Sequence, residues 1–188
     1  MASRNEVEIK FVISGLRSVE RKLRALGFRR VTPRTHEMNV LYDLPGRPLR
    51  HRGEILRLRE YGGSWKLTHK SRGAAVRHKS RVEIETSVAD GTKTEGILRA
   101  LGFRPSFRYE KFRSEWTDGR GEVVLDHTPI GDMGEIEGTP RWIDATARRL
   151  GLSPRDYITD SYGAMFLKWK KRTRSKATEM TFRAVRSK

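Results

Sequence analysis

The amino-acid sequence predicts an α+β fold in which a closed or nearly closed β barrel surrounds a charged tunnel, with helices packed on its outside. Three observations support this prediction. Eight segments alternate between polar and apolar residues with the period of a β strand, and helical patterns lie between some of them. The polar positions hold almost only acids and bases. Within each strand these charges share one parity, so the apolar residues occupy the opposite face.

The first strand shows this pattern in the stretch NEVEIKF. Its charged residues Glu6, Glu8 and Lys10 share one face, and the three apolar residues that alternate with them share the other. The eight predicted strands cover residues 5–13, 37–43, 54–60, 64–70, 80–87, 107–116, 121–127 and 133–138.

Seven of these segments together carry eight acids and eight bases on the charged parity. An ordinary surface sheet also turns polar residues outward and apolar residues inward. Two features favour a barrel instead. First, solvated strand faces usually also carry Thr, Ser, Gln and Asn, whereas these positions hold almost only acids and bases. Second, the signs of the charges fall in blocks, with acids on the first and last strands and bases between them. Mixed signs inside a tunnel avoid an uncompensated buried charge.

Four segments between or after the strands carry helical patterns with recognisable ends. In TEGILRALGF, we expect Ile97, Leu98 and Leu101 to face inward. The predicted ends are the stop at Gly27 after SGLRSVERKLRALGF, the cap Thr94 of TEGILRALGF, the cap Thr139 of TPRWIDATARRLGL and the cap Asp160 of DSYGAMFLKWKK.

The heptapeptide LRALGFR occurs twice, at Leu23–Arg29 and at Leu98–Arg104. Each copy lies in a helical pattern that leads into strands, which suggests two similar halves. The alternative is a common helix ending with a glycine stop. The sequence leaves both interpretations open.

Composition limits the class of protein. The chain has 188 residues, 40 bases, 23 acids and a net charge of +17, which suggests an anionic partner. It has no cysteine, so thiolate catalysis and thiolate metal sites are excluded. We expect one domain at residues 1–169, followed by a basic tail at residues 170–188. Without an apolar signal segment or a membrane-spanning run, a cytoplasmic protein with no membrane contact is expected.

The charges on the tunnel parity suggest the chemistry of a ligand. Arg and Lys bind phosphate oxygens through charge-assisted hydrogen bonds. Glu and Asp instead hold Mg²⁺ or Mn²⁺, which take oxygen ligands. Acids beside bases therefore indicate a site for a metal and a polyphosphate, whereas a nucleic-acid groove would be basic without the acids. Like-charge repulsion predicts raised pKa values for the clustered carboxyl groups in the absence of metal.

The ordered set of motifs resembles the CYTH, or triphosphate tunnel metalloenzyme, superfamily, which includes class IV adenylate cyclases, thiamine triphosphatases and inorganic triphosphatases. The resemblance covers roughly residues 5–165 and implies an eight-stranded antiparallel β barrel. Its motifs are EVEIK (Glu6–Lys10), YD (Tyr42, Asp43), LRLR (Leu56–Arg59), KLTHK (Lys66–Lys70), RVEIE (Arg81–Glu85), EKFR (Glu110–Arg113), EVVLDHTPIGDMGEIEG (Glu122–Gly138) and SY (Ser161, Tyr162).

The same resemblance implies roles for individual residues. The implied metal ligands are Glu6, Glu8, Asp126, Glu135 and Glu137, with Glu83 and Glu85 as ligands of a second metal. The implied triphosphate-binding residues are Lys10, Arg57, Arg59, Lys66, Lys70, Arg81, Lys111 and Arg113. The candidates for catalysis are Lys10, Lys70, Arg113 and Asp126.

The implied chemistry is in-line attack on phosphorus with Mg²⁺ or Mn²⁺ as cofactor. We expect an adenylate cyclase, because the length and the segment YDLPGRPLRHRGEILRLRE look most like bacterial class IV cyclases. A triphosphatase is the first alternative, and a non-catalytic binder of polyphosphate or nucleic acid is the second. The expected partner is ATP, tripolyphosphate or thiamine triphosphate. Nucleic acid is not expected in the tunnel, and association as a homodimer is left open.

Overall fold

The computed structural model describes residues 4–75 and 77–186 as a closed antiparallel β barrel with helices on its outer surface. Around the barrel the strands follow the order β1, β9, β8, β7, β2, β3, β4 and β6, and pairing of β6 with β1 completes the ring. The two-residue strand β5 pairs with β6 outside this ring. The eight barrel strands and the antiparallel pairing confirm the predicted fold.

The strands are β1 Arg4–Val12, β2 Arg29–Asp43, β3 Ile55–Tyr61, β4 Ser64–Lys70, β5 Ala74–Ala75, β6 Lys79–Val88, β7 Arg104–Thr117, β8 Glu122–Thr128 and β9 Gly131–Glu137. The α-helices are α1 Leu16–Ala25, α2 Pro48–Arg52, α3 Gly91–Ala100, α4 Pro140–Leu150, α5 Tyr162–Thr173 and α6 Phe182–Arg186, with a 3₁₀ turn at Pro154–Asp156. None of the described helices is long and apolar enough to cross a membrane.

Strand β2 is much longer than predicted, because it begins at Arg29 rather than at residue 37. Its first part pairs with the far end of β7, where Arg29 lies opposite Thr117. The register between the two strands shifts between Arg30 and Thr32 and again between Thr32 and Thr35. Such irregularities interrupt the strict alternation of side chains, which is why the pattern is not visible in the sequence here.

The helix ends agree only in part with the predictions. The stop at Gly27 is confirmed by its φ of 85°, and Thr139 caps α4 with Pro140 in its first turn. The predicted cap Thr94 is wrong, since α3 begins at Gly91 and the side chain of Asp90 accepts from the backbone N–H of Lys93. Asp90 can cap the helix because its backbone is extended there.

Two more expectations about the helices are wrong. Of the three residues expected to face inward on α3, Leu98 is buried, whereas Ile97 and Leu101 are exposed. Helix α5 is capped by Ser161 instead of Asp160, because the Ser161 hydroxyl accepts from the backbone N–H of Ala164. A helix cap is a single residue that combines an extended backbone with a side-chain oxygen reaching the first turn. The prediction therefore missed the cap by one residue.

The barrel has two similar halves, as the repeated heptapeptide suggested. Helix α1 leads into β2 and the hairpin β3–β4, and helix α3 leads into β7 and the hairpin β8–β9. The equivalent strands β2 and β7 pair with each other, and so do the equivalent strands β1 and β6. The repeat therefore marks corresponding positions of two halves related by pseudo-two-fold symmetry.

The main apolar core lies outside the barrel wall, between the strands and helices α1 and α4. Ile9 and Phe11 of β1 pack there with Leu23 of α1 and Ile143 of α4. Gly134 of β9 permits this packing, since a Cβ atom at that position would lie 2.1 Å from the Phe11 ring. This confirms that the apolar parity of β1 faces outward beneath helices.

Not every strand is covered in this way. Val82 and Ile84 occupy the apolar parity of β6, and each remains 45% exposed. The half that contains β9 continues into α4, whereas the half that contains β4 continues into the segment with β5. Among the described residues between β4 and β6 there is no helix, so the outer face of β6 lacks cover of the kind that α4 gives to β9 and β1.

The C-terminal part of the chain adds to the barrel wall. Ile158 exchanges two backbone hydrogen bonds of 2.8 Å with Lys10 of β1. Further on, Met180 bonds to the backbone of Arg108 and Glu110 of β7 and is completely buried. Met180 also belongs to the apolar cluster formed with α5. Residues on both sides of α5 are thus attached to barrel strands.

Candidate functional site

The barrel encloses a cavity of about 540 Å³ whose wall consists mostly of charged side chains. Every predicted site residue except Asp126 lines it, because inward positions alternate along each strand. The charged lining residues are Glu6, Glu8, Lys10, Arg57, Arg59, Lys66, Lys70, Lys79, Arg81, Glu83, Glu85, Lys111, Arg113, Glu115, Glu122, Glu135 and Glu137. Leu41, Ile55, Val124, Tyr109, Ser161, Tyr162 and Gly163 complete the wall.

One side of the cavity is acidic and is formed by the neighbouring strands β1 and β9. Glu8 lies opposite Glu137 in the strand register, and Lys10 lies opposite Glu135. The Lys10 ammonium donates to Glu8 Oε1 at 2.7 Å and lies 3.4 Å from Glu135. Lys79 of β6 donates to the same oxygen of Glu8 at 3.1 Å. Glu8 and Glu135 therefore each have a buried ammonium group beside them.

The ammonium groups reverse the expected effect on the acidic cluster. Burial and Glu135 raise the pKa of Glu8, but Lys10 and Lys79 outweigh them and lower the pKa to about 2. Burial likewise raises the pKa of Glu135, and Arg113 and Lys10 lower it well below its usual range. The prediction of raised pKa values is therefore wrong for these groups, because the strand alternation places lysines directly between the acids.

A second group of ion pairs joins β4 to β6 and β1. Lys70 donates to both carboxylate oxygens of Glu6, at 2.8 and 2.7 Å, and lies 3.2 Å from Glu83. Glu85 accepts hydrogen bonds from Lys66 at 2.7 Å and from Arg59 at 3.1 Å. These contacts hold Glu83 and Glu85 on the basic side of the cavity.

Three arginines of this basic side have unused hydrogen-bond donors. The Nε atoms of Arg57, Arg59 and Arg81 are buried and have no acceptor among the described residues. A buried donor without an acceptor costs free energy. The side chains of these arginines also line the cavity, and guanidinium groups suit phosphate oxygens.

Asp126 lies behind the cavity wall and is completely buried. It accepts two hydrogen bonds from Arg113, at 2.8 and 2.7 Å, and one from Lys111 at 3.0 Å. The Tyr162 hydroxyl of α5 donates a fourth, at 2.6 Å. Both carboxylate oxygens are thus engaged, and Asp126 orients two bases that reach the cavity.

Several residues near the site were not assigned a role from the sequence alone. They include Glu37 and Asn39 of β2, Lys79 of β6 and Tyr162, whose aromatic ring lies 4.6 Å from the Lys111 ammonium. The parity rule could have found three of them, since Glu37 and Asn39 alternate in HEMNV and Lys79 precedes Arg81 by two. Strand alternation could not connect Tyr162 with the tunnel, because α5 is not part of the barrel, and the motif SY gave it no role in the site.

The oxygen chemistry of the acidic side suits Mg²⁺ or Mn²⁺. Glu8 and Glu135 are ionised at neutral pH, as metal ligands must be. Within residues 4–75 and 77–186, however, no three acids or histidines are arranged to share one ion, since bases lie between them. A metal would have to replace ammonium contacts such as that of Lys10 with Glu8. The donor types fit the metal, and the side chains would have to rearrange.

The comparisons with known proteins identify the family of the chain. The profile of the family described as the CYTH domain matches residues 4–162. The chain belongs to the CYTH family. A curated relative from Methanocaldococcus jannaschii, provisionally named an adenylate cyclase, is 32% identical over 168 residues, or 84% of this chain and 95% of the relative. Triphosphate tunnel enzymes of this family are metal-dependent, and membership supports a cyclase or a triphosphatase that acts on a small-molecule triphosphate.

Two solved structures show the same CYTH fold. A Vibrio parahaemolyticus protein, provisionally named an adenylate cyclase, superposes with a TM-score of 0.78 at 21% identity, covering 88% of this chain and 99% of that one. A Hippeastrum protein, provisionally named an adenylyl cyclase and described as having a dominant triphosphatase activity, superposes with a TM-score of 0.59 at 21% identity. That match covers 87% of this chain and 95% of the other.

Proposed function

We propose that this CYTH protein binds ATP in its tunnel and converts it to cyclic AMP and pyrophosphate with the help of Mg²⁺ or Mn²⁺. The observation that carries the proposal is the division of the cavity wall into two sides. Arginine side chains of β3 and β6 line a cavity whose other side holds ionised carboxylates of β1 and β9. A triphosphate and a divalent metal together would complement both sides.

In the proposed complex the basic residues bind and orient the phosphate chain. They are Lys10, Arg57, Arg59, Lys66, Lys70, Arg81, Lys111 and Arg113. Glu6, Glu8, Glu135 and Glu137 would hold the metal, whose chemistry is to neutralise charge that develops on the phosphate oxygens. Glu83 and Glu85 are the candidates for a second ion. For Asp126, its four hydrogen bonds favour a role in orienting Lys111 and Arg113.

The proposed reaction is an in-line displacement. The 3′ oxygen of the ribose forms a bond to the α phosphorus and loses its proton, while the bond from that phosphorus to the β-phosphate oxygen breaks and pyrophosphate leaves. In this proposal Lys10, Lys70 and Arg113 hold phosphate oxygens during the step, a role supported by their place in the cavity wall and by hydrogen bonds that orient each of them on a neighbouring acid. Cyclisation is our first proposal because the 32% identical relative is provisionally named a cyclase.

Hydrolysis of a triphosphate is the second candidate, and one feature of the cavity favours it. Its wall contains few apolar residues that could hold a nucleobase, chiefly Leu41, Ile55 and Tyr109. An inorganic triphosphate needs no such surface. In that case water attacks the γ phosphorus, the bond from that phosphorus to the β–γ bridging oxygen breaks, and the diphosphate is the leaving group while the γ phosphorus becomes inorganic phosphate.

The test offers the purified protein ATP, tripolyphosphate and thiamine triphosphate, each with Mg²⁺ and with Mn²⁺. Cyclic AMP and pyrophosphate in equal amounts are the expected products from ATP. Release of inorganic phosphate would instead establish a triphosphatase. Binding of tripolyphosphate without turnover would support a non-catalytic polyphosphate binder and contradict both enzymatic proposals.

A further inference from the structure

A buried carboxylate lies directly behind the basic side of the tunnel. Glu37 of β2 is completely buried and does not line the cavity. One of its oxygens is 3.4 Å from the Lys111 ammonium. The other is 3.8 Å from a terminal nitrogen of Arg59 and 3.9 Å from Nε of Arg113. These three bases line the cavity, so Glu37 contacts them from the side away from any ligand.

The strand order explains how one acid reaches three bases. Strand β2 lies between β3, which carries Arg59, and β7, which carries Lys111 and Arg113. Glu37 is directly opposite Lys111 in the register, and its neighbour on the same face, Asn39, is directly opposite Arg59. Side chains from three adjacent strands therefore converge on this carboxylate.

The orientation of Glu37 is held by a second buried side chain. The amide nitrogen of Asn39 donates to Glu37 Oε1 at 2.8 Å, and Asn39 is also completely buried. This leaves Glu37 Oε2 toward Arg59 and Arg113 with no hydrogen bond of its own among the described residues. Burial raises the pKa of Glu37, but Lys111 and Arg113 lower it to about 2, so the group is charged at neutral pH.

We propose that Glu37 is a positioning residue. From behind the tunnel wall it holds Arg59, Lys111 and Arg113 in fixed places, so that their remaining donors point toward the triphosphate. Three cations this close repel one another, and one negative charge between them offsets that repulsion. Glu37 touches no substrate in this arrangement. The inference rests on the proposed function, because it assigns these bases to the phosphate chain.

The proposal predicts that binding and turnover respond differently. Glu37→Gln keeps the size of the side chain and removes its charge, which makes the tunnel more positive by one unit. The affinity for tripolyphosphate should therefore be unchanged or higher. The three bases lose their fixed geometry, and small displacements of binding groups can slow a reaction by about 100-fold. We expect kcat to fall at least tenfold while the Kd for tripolyphosphate does not increase.

The experiment compares wild type with Glu37→Gln, Glu37→Asp and the control Glu110→Gln. Glu110 lies on β7 opposite Met38 and does not line the cavity; it pairs with His36 and accepts a hydrogen bond from the backbone N–H of Phe182. For each protein, kcat and KM are measured with the triphosphate that wild type converts. The Kd for tripolyphosphate with Mg²⁺ comes from calorimetry, and the melting temperature is recorded.

The expected result is a lower kcat with an unchanged or lower Kd for Glu37→Gln, partial recovery of kcat in Glu37→Asp, and wild-type kinetics for the control. If Glu37→Gln does not fold, the kcat of Glu37→Asp tests the proposal by itself. This variant keeps the charge but shortens the side chain, so its kcat should still lie below that of wild type. Wild-type kcat in both Glu37 variants, or a Kd that rises in proportion to the loss of kcat, would overturn this inference alone. A wild-type protein that neither binds nor converts a triphosphate would overturn the proposed function and this inference with it.

Discussion

The buried carboxylate of Asp126 should be one of the strongest single contributors to the stability of the barrel. It is completely buried and receives its four hydrogen bonds from Arg113, Lys111 and Tyr162. Asp126→Asn keeps the shape of the side chain but replaces one acceptor oxygen by an NH₂ group. That group would face two cationic donors that are themselves buried.

The size of the effect follows from this burial. Breaking a buried ion pair by removing one partner costs about 3–5 kcal/mol, because the remaining charge stays buried without compensation. For a protein of this size, that corresponds to a fall in melting temperature of roughly 6–20 °C. The exposed pair of Glu95 and Arg99 on α3 provides the comparison, since such pairs contribute only about 0.3–0.5 kcal/mol.

Urea unfolding of wild type, Asp126→Asn and Glu95→Gln measures these differences by linear extrapolation. If Asp126→Asn is too unstable to purify, Tyr162→Phe removes only one of the four hydrogen bonds and should cost about 1.5–3 kcal/mol. An Asp126→Asn protein within about 1 kcal/mol of wild type would refute the reasoning. It would mean that Lys111 and Arg113 find other partners in the tunnel.

Four further predictions concern the metal, the triphosphate, acid stability and the C-terminal segment. Glu8→Ala should abolish metal-dependent turnover and leave the circular dichroism spectrum unchanged; full activity with Mg²⁺ or Mn²⁺ would remove Glu8 from the metal site. Arg59→Ala should weaken binding of tripolyphosphate far more than binding of pyrophosphate or adenosine in calorimetry, whereas equal losses would contradict its place on the phosphate chain. Folding lowers the pKa of Glu37 from 4.5 to about 2, so its contribution of roughly 3 kcal/mol is complete above about pH 4.5 and is lost as the pH falls toward 2. Urea unfolding at several acidic pH values should show this loss in wild type and a smaller one in Glu37→Gln. Met180→Ala should cost about 2–5 kcal/mol in the same assay, because Met180 is completely buried, and a neutral result would mean that its segment is not part of the folded domain.

The alternating pattern of the strands was sufficient to predict the barrel and most of its lining. In an antiparallel strand, residues two apart always share a face, so the charges of NEVEIKF could be assigned to one side without knowledge of the partners. The same rule placed Arg57 and Arg59 together on β3. It failed to extend β2 back to Arg29, because irregular register near Thr32 breaks the alternation.

The pairing of charges depended on which strands become neighbours. Glu8 and Lys79 are far apart in the sequence, and their contact exists only because β6 closes the ring against β1. The pKa values follow from such contacts rather than from residue type. This is why the expectation of raised carboxyl pKa values was wrong although the acids themselves were correctly located.

Sequence alone therefore determined the face that each strand residue occupies, because that depends on local backbone geometry. Only the tertiary structure decided how the charges are compensated and what completes the wall. Tyr162 reaches Asp126 from a helix outside the barrel, and Met180 attaches to β7 from within a basic segment whose composition suggested a tail. Contacts between elements distant in the chain have no period, so the alternation of residues along the strands could not reveal them.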